Sequence, residues 1–164
     1  MLVMLTIQRH AAIFGFGYEG CELGEFIAQL GREGITLLVD VRLNPISRKR
    51  GFSKTALAAA LADAGIGYQH MRALGNPKWN RAGFGGDTAE LEAARGVYID
   101  QTLGAPAAQE ALARIAEAAR RETVAIMCFE ADERRCHRRL VLGALNDLSD
   151  ASQPSSGDTR HPGR

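Results

Sequence analysis

"ITLLVDV", Ile35 to Val41, is a nearly unbroken β-prone run in which Asp40 is the only charge. A strand apolar on both faces belongs inside a parallel sheet covered by helices on each side, because a half-exposed strand alternates apolar and polar residues. The neighbouring segments agree. Before it, "LGEFIAQLG" places Leu23, Phe26, Ile27 and Leu30 on one helical face, with Gly31 and Gly34 as stops. After it, "SKTALAAALADAG" opens at Ser53 as an N-cap and closes at Gly65.

The alternation continues in both directions. "AAIFGF" (Ala11 to Phe16), "IGYQHM" (Ile66 to Met71) and "TVAIMCF" (Thr123 to Phe129) read as strands. "DTAELEAARGVYI" starts with Asp87 and Glu90 at capping-box spacing. Pro106 opens an amphipathic helix, since its fixed φ suits a first turn. "CHRRLVLGALNDL" is the last helix. The expected fold is a single-domain α/β protein, with a mainly parallel sheet of four or five strands and helices packed on both faces. Residues 1–10 read as an extension or edge strand, 11–148 as the α/β domain, and the polar, Ser-, Gly- and Pro-rich 149–164 as a disordered tail.

The chain has 164 residues, 46% of them hydrophobic, and a formal net charge of +1. That length supports one domain with a real core. The near-zero charge argues against a general nucleic-acid coat, so any basic site is local. Three irregularly spaced cysteines make no secreted disulfide framework. No apolar run approaches the roughly 18–20 residues of a membrane span. "MLVMLTIQRH" lacks the features of a signal peptide. A cytoplasmic, reducing setting without a membrane partner follows as the expectation, and the oligomeric state stays open.

Ligands of parallel sheets gather beyond the carboxyl ends of the strands. Here those ends carry Gly17, Tyr18 and Glu19; Asp40 and Arg42; His70 and Arg72; Cys128 and Glu130. The opposite ends are bland. Asp40 and Arg42 lie two apart and so share a face of their strand. Arg48, Lys49, Arg50 and Lys54 follow before the helix that Ser53 opens, a composition suited to phosphate or carboxylate binding. His137 and Arg138 at the start of the last helix form a second anion clamp.

Cys128 and Arg134 have the Cys-x5-Arg spacing of cysteine phosphatases, but the intervening "FEADE" is acidic where a phosphate cradle needs small residues. Cys128, Cys136 and His137 raise the question of zinc. On a helix, Cys136 and His137 would point about 100° apart, and no Cys-x2-Cys pair is present, so no metal or other cofactor is assigned.

Four segments together resemble the DUF488 family of bacterial and archaeal proteins: "IFGFGYEG", "LLVDVRLNPISRKRGFSK", "GIGYQHMRALGNP" and "MCFEADERRCHRRL". The resemblance implies a compact α/β domain with a shared set of polar positions, and no activity. The expected site is a polar pocket for a small anionic, phosphate- or nucleotide-like ligand. Tyr18, Asp40, Arg42, His70, Arg72 and Arg138 are the candidate ligand-binding residues. Cys128, Glu130 and His137 are candidates for nucleophile and general acid/base, with a depressed thiol pKa. The loop "GNPKWNRAGFGGD" (Gly75 to Asp87) is a candidate lid. Two other readings stand beside this one. One is a nucleic-acid-binding module using Arg48, Lys49, Arg50 and Lys78, with Trp79 or Phe84 stacking on bases. The other is a structural ion-pair network at the strand ends.

Overall fold

A computed structural model describes residues 13–151. The expectations for residues 1–10, and for the tail beyond Ala151, lie outside them. Four strands form one sheet: β1 (Ile13–Gly17), β2 (Leu37–Asp40), β3 (Gly67–His70) and β4 (Val124–Cys128). Their order is β1-β4-β2-β3, and every pairing is parallel. The last strand in sequence therefore fills the space between the first two.

Six α-helices accompany the sheet among the described residues: α1 (Leu23–Arg32), α2 (Lys54–Asp63), α3 (Lys78–Phe84), α4 (Thr88–Val97), α5 (Pro106–Ala119) and α6 (Arg138–Ala151). A π-helical segment, Tyr98–Leu103, continues α4. The chain is thus a single α/β domain with helices on both faces of a four-stranded parallel sheet. No helix among the described residues is long and apolar enough to cross a membrane.

The two-residue period of the strands divides the core. From β2 and β4, Leu38, Ala125 and Met127 pack with Phe26 and Leu30 of α1 and with Leu57 and Leu61 of α2. The alternate residues Leu37, Val39, Val124 and Ile126 pack with Leu112 and Ile115 of α5 and with Val141 and Leu145 of α6. All four residues of β2 and all five of β4 are buried, as the unbroken apolar runs require. Each fully buried Leu or Ile contributes about 1.5–3 kcal/mol relative to an exposed one.

The helix signals behave as their chemistry dictates, with two differences. Asp87 and Glu90 form the reciprocal capping box at the start of α4, and Pro106 occupies the first turn of α5. Gly34 and Gly65 take φ of +68° and +74° just past α1 and α2, a conformation that side chains disfavour. Ser53 stands at the cap position of α2, but its side chain makes no capping bond. The Gly75–Asp87 segment, expected as a loop, contains α3. Gly75 precedes that helix and Gly83, Gly85 and Gly86 lie at its end, and Asn80 anchors the helix by donating to Asn76 Oδ1 at 3.1 Å and to the Ala94 carbonyl at 3.0 Å. It is a packed wall.

Candidate functional site

The order β1-β4-β2 has a geometric consequence. The chain leaves β1 and β2 toward helices on one face, and leaves β4 toward α6 on the other. Crevices therefore open at the carboxyl ends on both sides of β4, the location where open α/β sheets bind ligands. A cavity of about 700 Å³ lies there. Its walls come from Tyr18 and Gly20 after β1, the 42–49 loop after β2, Asn76, Arg81 and Phe84 around α3, and Cys128, Phe129 and Glu130 at the end of β4. Arg135 and His137 complete it.

Five cationic side chains line this cavity (Arg42, Arg48, Lys49, Arg81 and Arg135) against one carboxylate, Glu130. They are not equally available. Arg42 is 6% exposed. Its Nε donates to Asp40 Oδ1 at 2.9 Å, Nη2 to Asp40 Oδ2 at 2.7 Å, and Nη1 to Tyr18 Oη at 3.0 Å and to the Phe52 carbonyl at 2.8 Å. Burial opposes the charge, but Asp40 and Tyr18 hold the guanidinium protonated well beyond its ordinary range. Lys49 pairs with Glu22 at 3.1 Å. Arg81 uses Nε on the Asn76 carbonyl, and Arg135 uses Nη1 on the carbonyls of Phe84 and Gly86. Arg48 is exposed and makes no hydrogen bond or ion pair among the described residues.

Asp40 is fully buried and also accepts a 2.6 Å hydrogen bond from Tyr68 Oη. Burial and this bond to Asp40 push the Tyr68 phenol well above its ordinary value. Tyr18 Oη donates to Ser47 Oγ at 3.4 Å, and Ser47 Oγ accepts from the Lys49 amide at 3.1 Å. The Asp40–Arg42–Tyr18 network thus shapes the loop that forms the basic wall.

Four of the expected ligand-binding residues lie outside the cavity lining: Asp40, held in the network above, and His70, Arg72 and Arg138. His70 Nε2 donates to the Arg42 carbonyl at 2.8 Å, since a carbonyl can only accept. Arg72 donates to the Leu43 carbonyl at 3.1 Å and to Asn44 Oδ1 at 2.8 Å. Both brace the 42–44 segment from the β3 side. Arg138 is 2% exposed. It donates through Nη1 to the Glu130 carbonyl at 2.7 Å and through Nη2 to the Ala131 carbonyl at 3.4 Å. Its Nε faces Glu133 at 3.5 Å, close enough for charge pairing and too long for a hydrogen bond. Arg138 positions the loop after β4.

The floor holds the three candidate catalytic residues. Cys128 Sγ lies 3.2 Å from Glu130 Oε2 and 3.7 Å from His137 Nδ1. The neighbouring Cys136 thiol and burial push the Cys128 thiol well above its ordinary value, against the opposing pull of His137. This reverses the depressed pKa expected of a nucleophile. The charged groups that would lower it are turned away: Arg42 toward Asp40, and Arg138 toward backbone carbonyls. Burial would raise Glu130, but hydrogen bonds from its own amide and from the two thiols hold its carboxyl below the usual range.

Phe129, Arg81 and Arg135 line the cavity without having been singled out from the sequence. Phe129 follows Cys128 at the strand end, so the strand-end rule reaches it by one further step. Arg81 was obscured because the glycines around α3 suggested a loop.

The fold and cavity define a small parallel α/β protein with a basic crevice at its strand ends. The chain belongs to the DUF488 family, a domain of unknown function whose model matches residues 22–145. No curated protein and no solved structure gives a significant match to the chain.

Proposed function

We propose that the cavity binds a small anionic ligand, bearing phosphate or carboxylate and about the size of a nucleotide, in a reducing cytoplasmic setting. The observation that carries the reading is the excess of cations over carboxylates in a cavity placed at the crevices beside β4, with Arg48 exposed and without a hydrogen bond or ion pair among the described residues. A volume of about 700 Å³ falls within the roughly 300–1,000 Å³ range of small-molecule sites. Ile46 and Phe129, which are 81% and 43% exposed, give an apolar or planar part of the ligand something to cover. Arg48 and the free ends of Arg81 and Arg135 would hold the anion, Tyr18 and Asn76 would orient it, and Glu130 would serve as acid or base.

Isothermal titration with inorganic phosphate, pyrophosphate, nucleoside mono- and diphosphates, and neutral nucleosides tests this. Saturable binding of a phosphorylated compound and none of the neutral nucleosides is expected. Arg48→Ala and Arg81→Ala should each weaken binding about tenfold or more, the scale of one lost charge-assisted hydrogen bond. Binding unchanged in the double variant would contradict the reading.

One observation favours a nucleic acid as the source of the anion. Trp79 on α3 is 66% exposed beside Lys78, and an exposed indole stacks on bases. Phe84 is only 5% exposed and cannot do so. Single-strand binding that falls steeply with salt and is lost in Trp79→Ala would identify that case.

A further inference from the structure

Beneath the anion cavity two thiols and an imidazole converge. Cys128 ends β4, and the connection folds back through a 3-10 turn at Glu133–Arg135 to bring Cys136 and His137 against it. Cys136 precedes α6 and has extended backbone, φ −129° and ψ 140°. The helical angle that would separate its side chain from that of His137 therefore does not apply. The ligand atoms of Cys128, Cys136 and His137 all lie within 4.8 Å of one another, and all three residues are buried.

The geometry is close to that of a tetrahedral metal. His137 Nδ1 lies 3.7 Å from Cys128 Sγ and 4.0 Å from Cys136 Sγ. Zinc bonds of about 2.3 Å to sulfur and 2.0–2.1 Å to nitrogen hold their ligand atoms about 3.5–3.8 Å apart. The cluster contracts to take the ion, with all three ligand atoms starting within 4.8 Å of one another.

The imidazole is already set in the required tautomer. His137 Nε2 lies 3.0 Å from the Val41 carbonyl. The carbonyl accepts only, so Nε2 carries the proton and Nδ1 turns its lone pair toward the two sulfurs. Donation of the distal N–H to a backbone carbonyl is how metal-binding histidines are oriented. The Tyr98 ring, 5.3 Å away, packs against the imidazole and limits its rotation.

We propose that Cys128 Sγ, Cys136 Sγ and His137 Nδ1 bind a divalent ion of the zinc class, with the fourth position facing the cavity. Two thiols and an imidazole favour zinc over magnesium or calcium, which take oxygen ligands. Cys128 and His137 also line the cavity, so a bound anion or a water has access to the metal. Three protein donors with one open position is the arrangement of a reactive zinc centre; structural centres are closed by four.

The inference goes beyond the anion reading, and metal binding is measured without any anion, so either can fail alone. The full chain, reduced and stripped with chelator, is titrated with Zn²⁺ against a chromophoric competitor and separately with Co²⁺. One ion per chain is expected, with a tetrahedral, thiolate-bound Co²⁺ spectrum. Cys136→Ser and His137→Ala should each weaken Zn²⁺ by more than about 100-fold, beyond the cost of losing an outer-shell partner. Cys21→Ser should leave affinity unchanged, and circular dichroism establishes that each variant is folded. No stoichiometric binding by the wild type would overturn the proposal. So would wild-type affinity in folded Cys136→Ser, or a Co²⁺ spectrum without thiolate bands.

Discussion

Asp40 and Arg42 form a buried ion pair, 2.7 Å between Oδ2 and Nη2, and this pair uses most of the charge that Arg42 brings to the cavity wall. A pair of this kind is costly to break from one side, because the remaining charge stays buried without a partner. Asp40→Asn is expected to lower stability by about 3–5 kcal/mol, read from urea denaturation. Arg48→Ala, at an exposed and unpaired position, should change stability by no more than about 0.5 kcal/mol while weakening anion binding. Equal stability losses in the two variants would mean that Arg42 is not the structural member.

The Tyr68 phenol gives a signature in pH. Its native pKa is raised by burial and by the bond to Asp40, so the neutral form is favoured on folding. Its contribution is fully present below about pH 10, the unfolded value. It is lost as pH rises toward the higher native value. Tyr68→Phe should therefore show a smaller fall in stability above about pH 10 than the wild type. Identical slopes would remove Tyr68 from this linkage.

Gly17 ends β1 against the loop after β4. A Cβ there would overlap the backbone carbonyl of Glu130 and crowd Arg138 Nη1, and backbone cannot move aside as a flexible side chain can. Gly17→Ala is expected to cost about 1–3 kcal/mol, the range of overpacking. Gly143→Ala, inside α6 with open space around the added methyl, should gain about 0.5–1 kcal/mol. Denaturation midpoints of the two variants should move in opposite directions.

Thiol accessibility separates the cysteines. Cys128 and Cys136 are 4% and 2% exposed, whereas Cys21 is half-buried. Iodoacetamide with mass spectrometry should modify Cys21 in the native protein, and Cys128 and Cys136 only after unfolding. Native-state alkylation of Cys128 as fast as that of Cys21 would contradict this burial and favour Cys128 as a nucleophile.

The sequence carried the layer architecture because it depends on local signals. Asp87, Glu90, Pro106 and Gly65 mark helix ends by their own backbone chemistry, and the apolar runs of β2 and β4 mark buried strands. The strand-end rule also brought Tyr18, Arg42, Cys128 and Glu130 to one cavity, which His137 joins from the segment before α6. What local signals do not encode is direction and partner. His70 and Arg72 stand just at and after the end of β3 and Arg138 at the start of α6, but their donors go to backbone carbonyls and, for Arg72, also to Asn44 Oδ1. The last helix is expected to open at Cys136 but starts at Arg138, and that two-residue boundary hid the convergence of Cys136 with His137. The position of β4 between β1 and β2, which creates the crevices, depends on long-range pairing that no single segment reveals.

Mapping the binding site by NMR tests the central claim most directly. Backbone amide spectra of the labelled protein would be recorded during titration with pyrophosphate and with a nucleoside diphosphate. The anion-pocket account expects saturable shifts concentrated at Tyr18–Gly20, at Ser47–Lys49 and at Phe129–Glu130, with α5 unaffected. Shifts confined to the α5 face, or none at millimolar ligand, would contradict it.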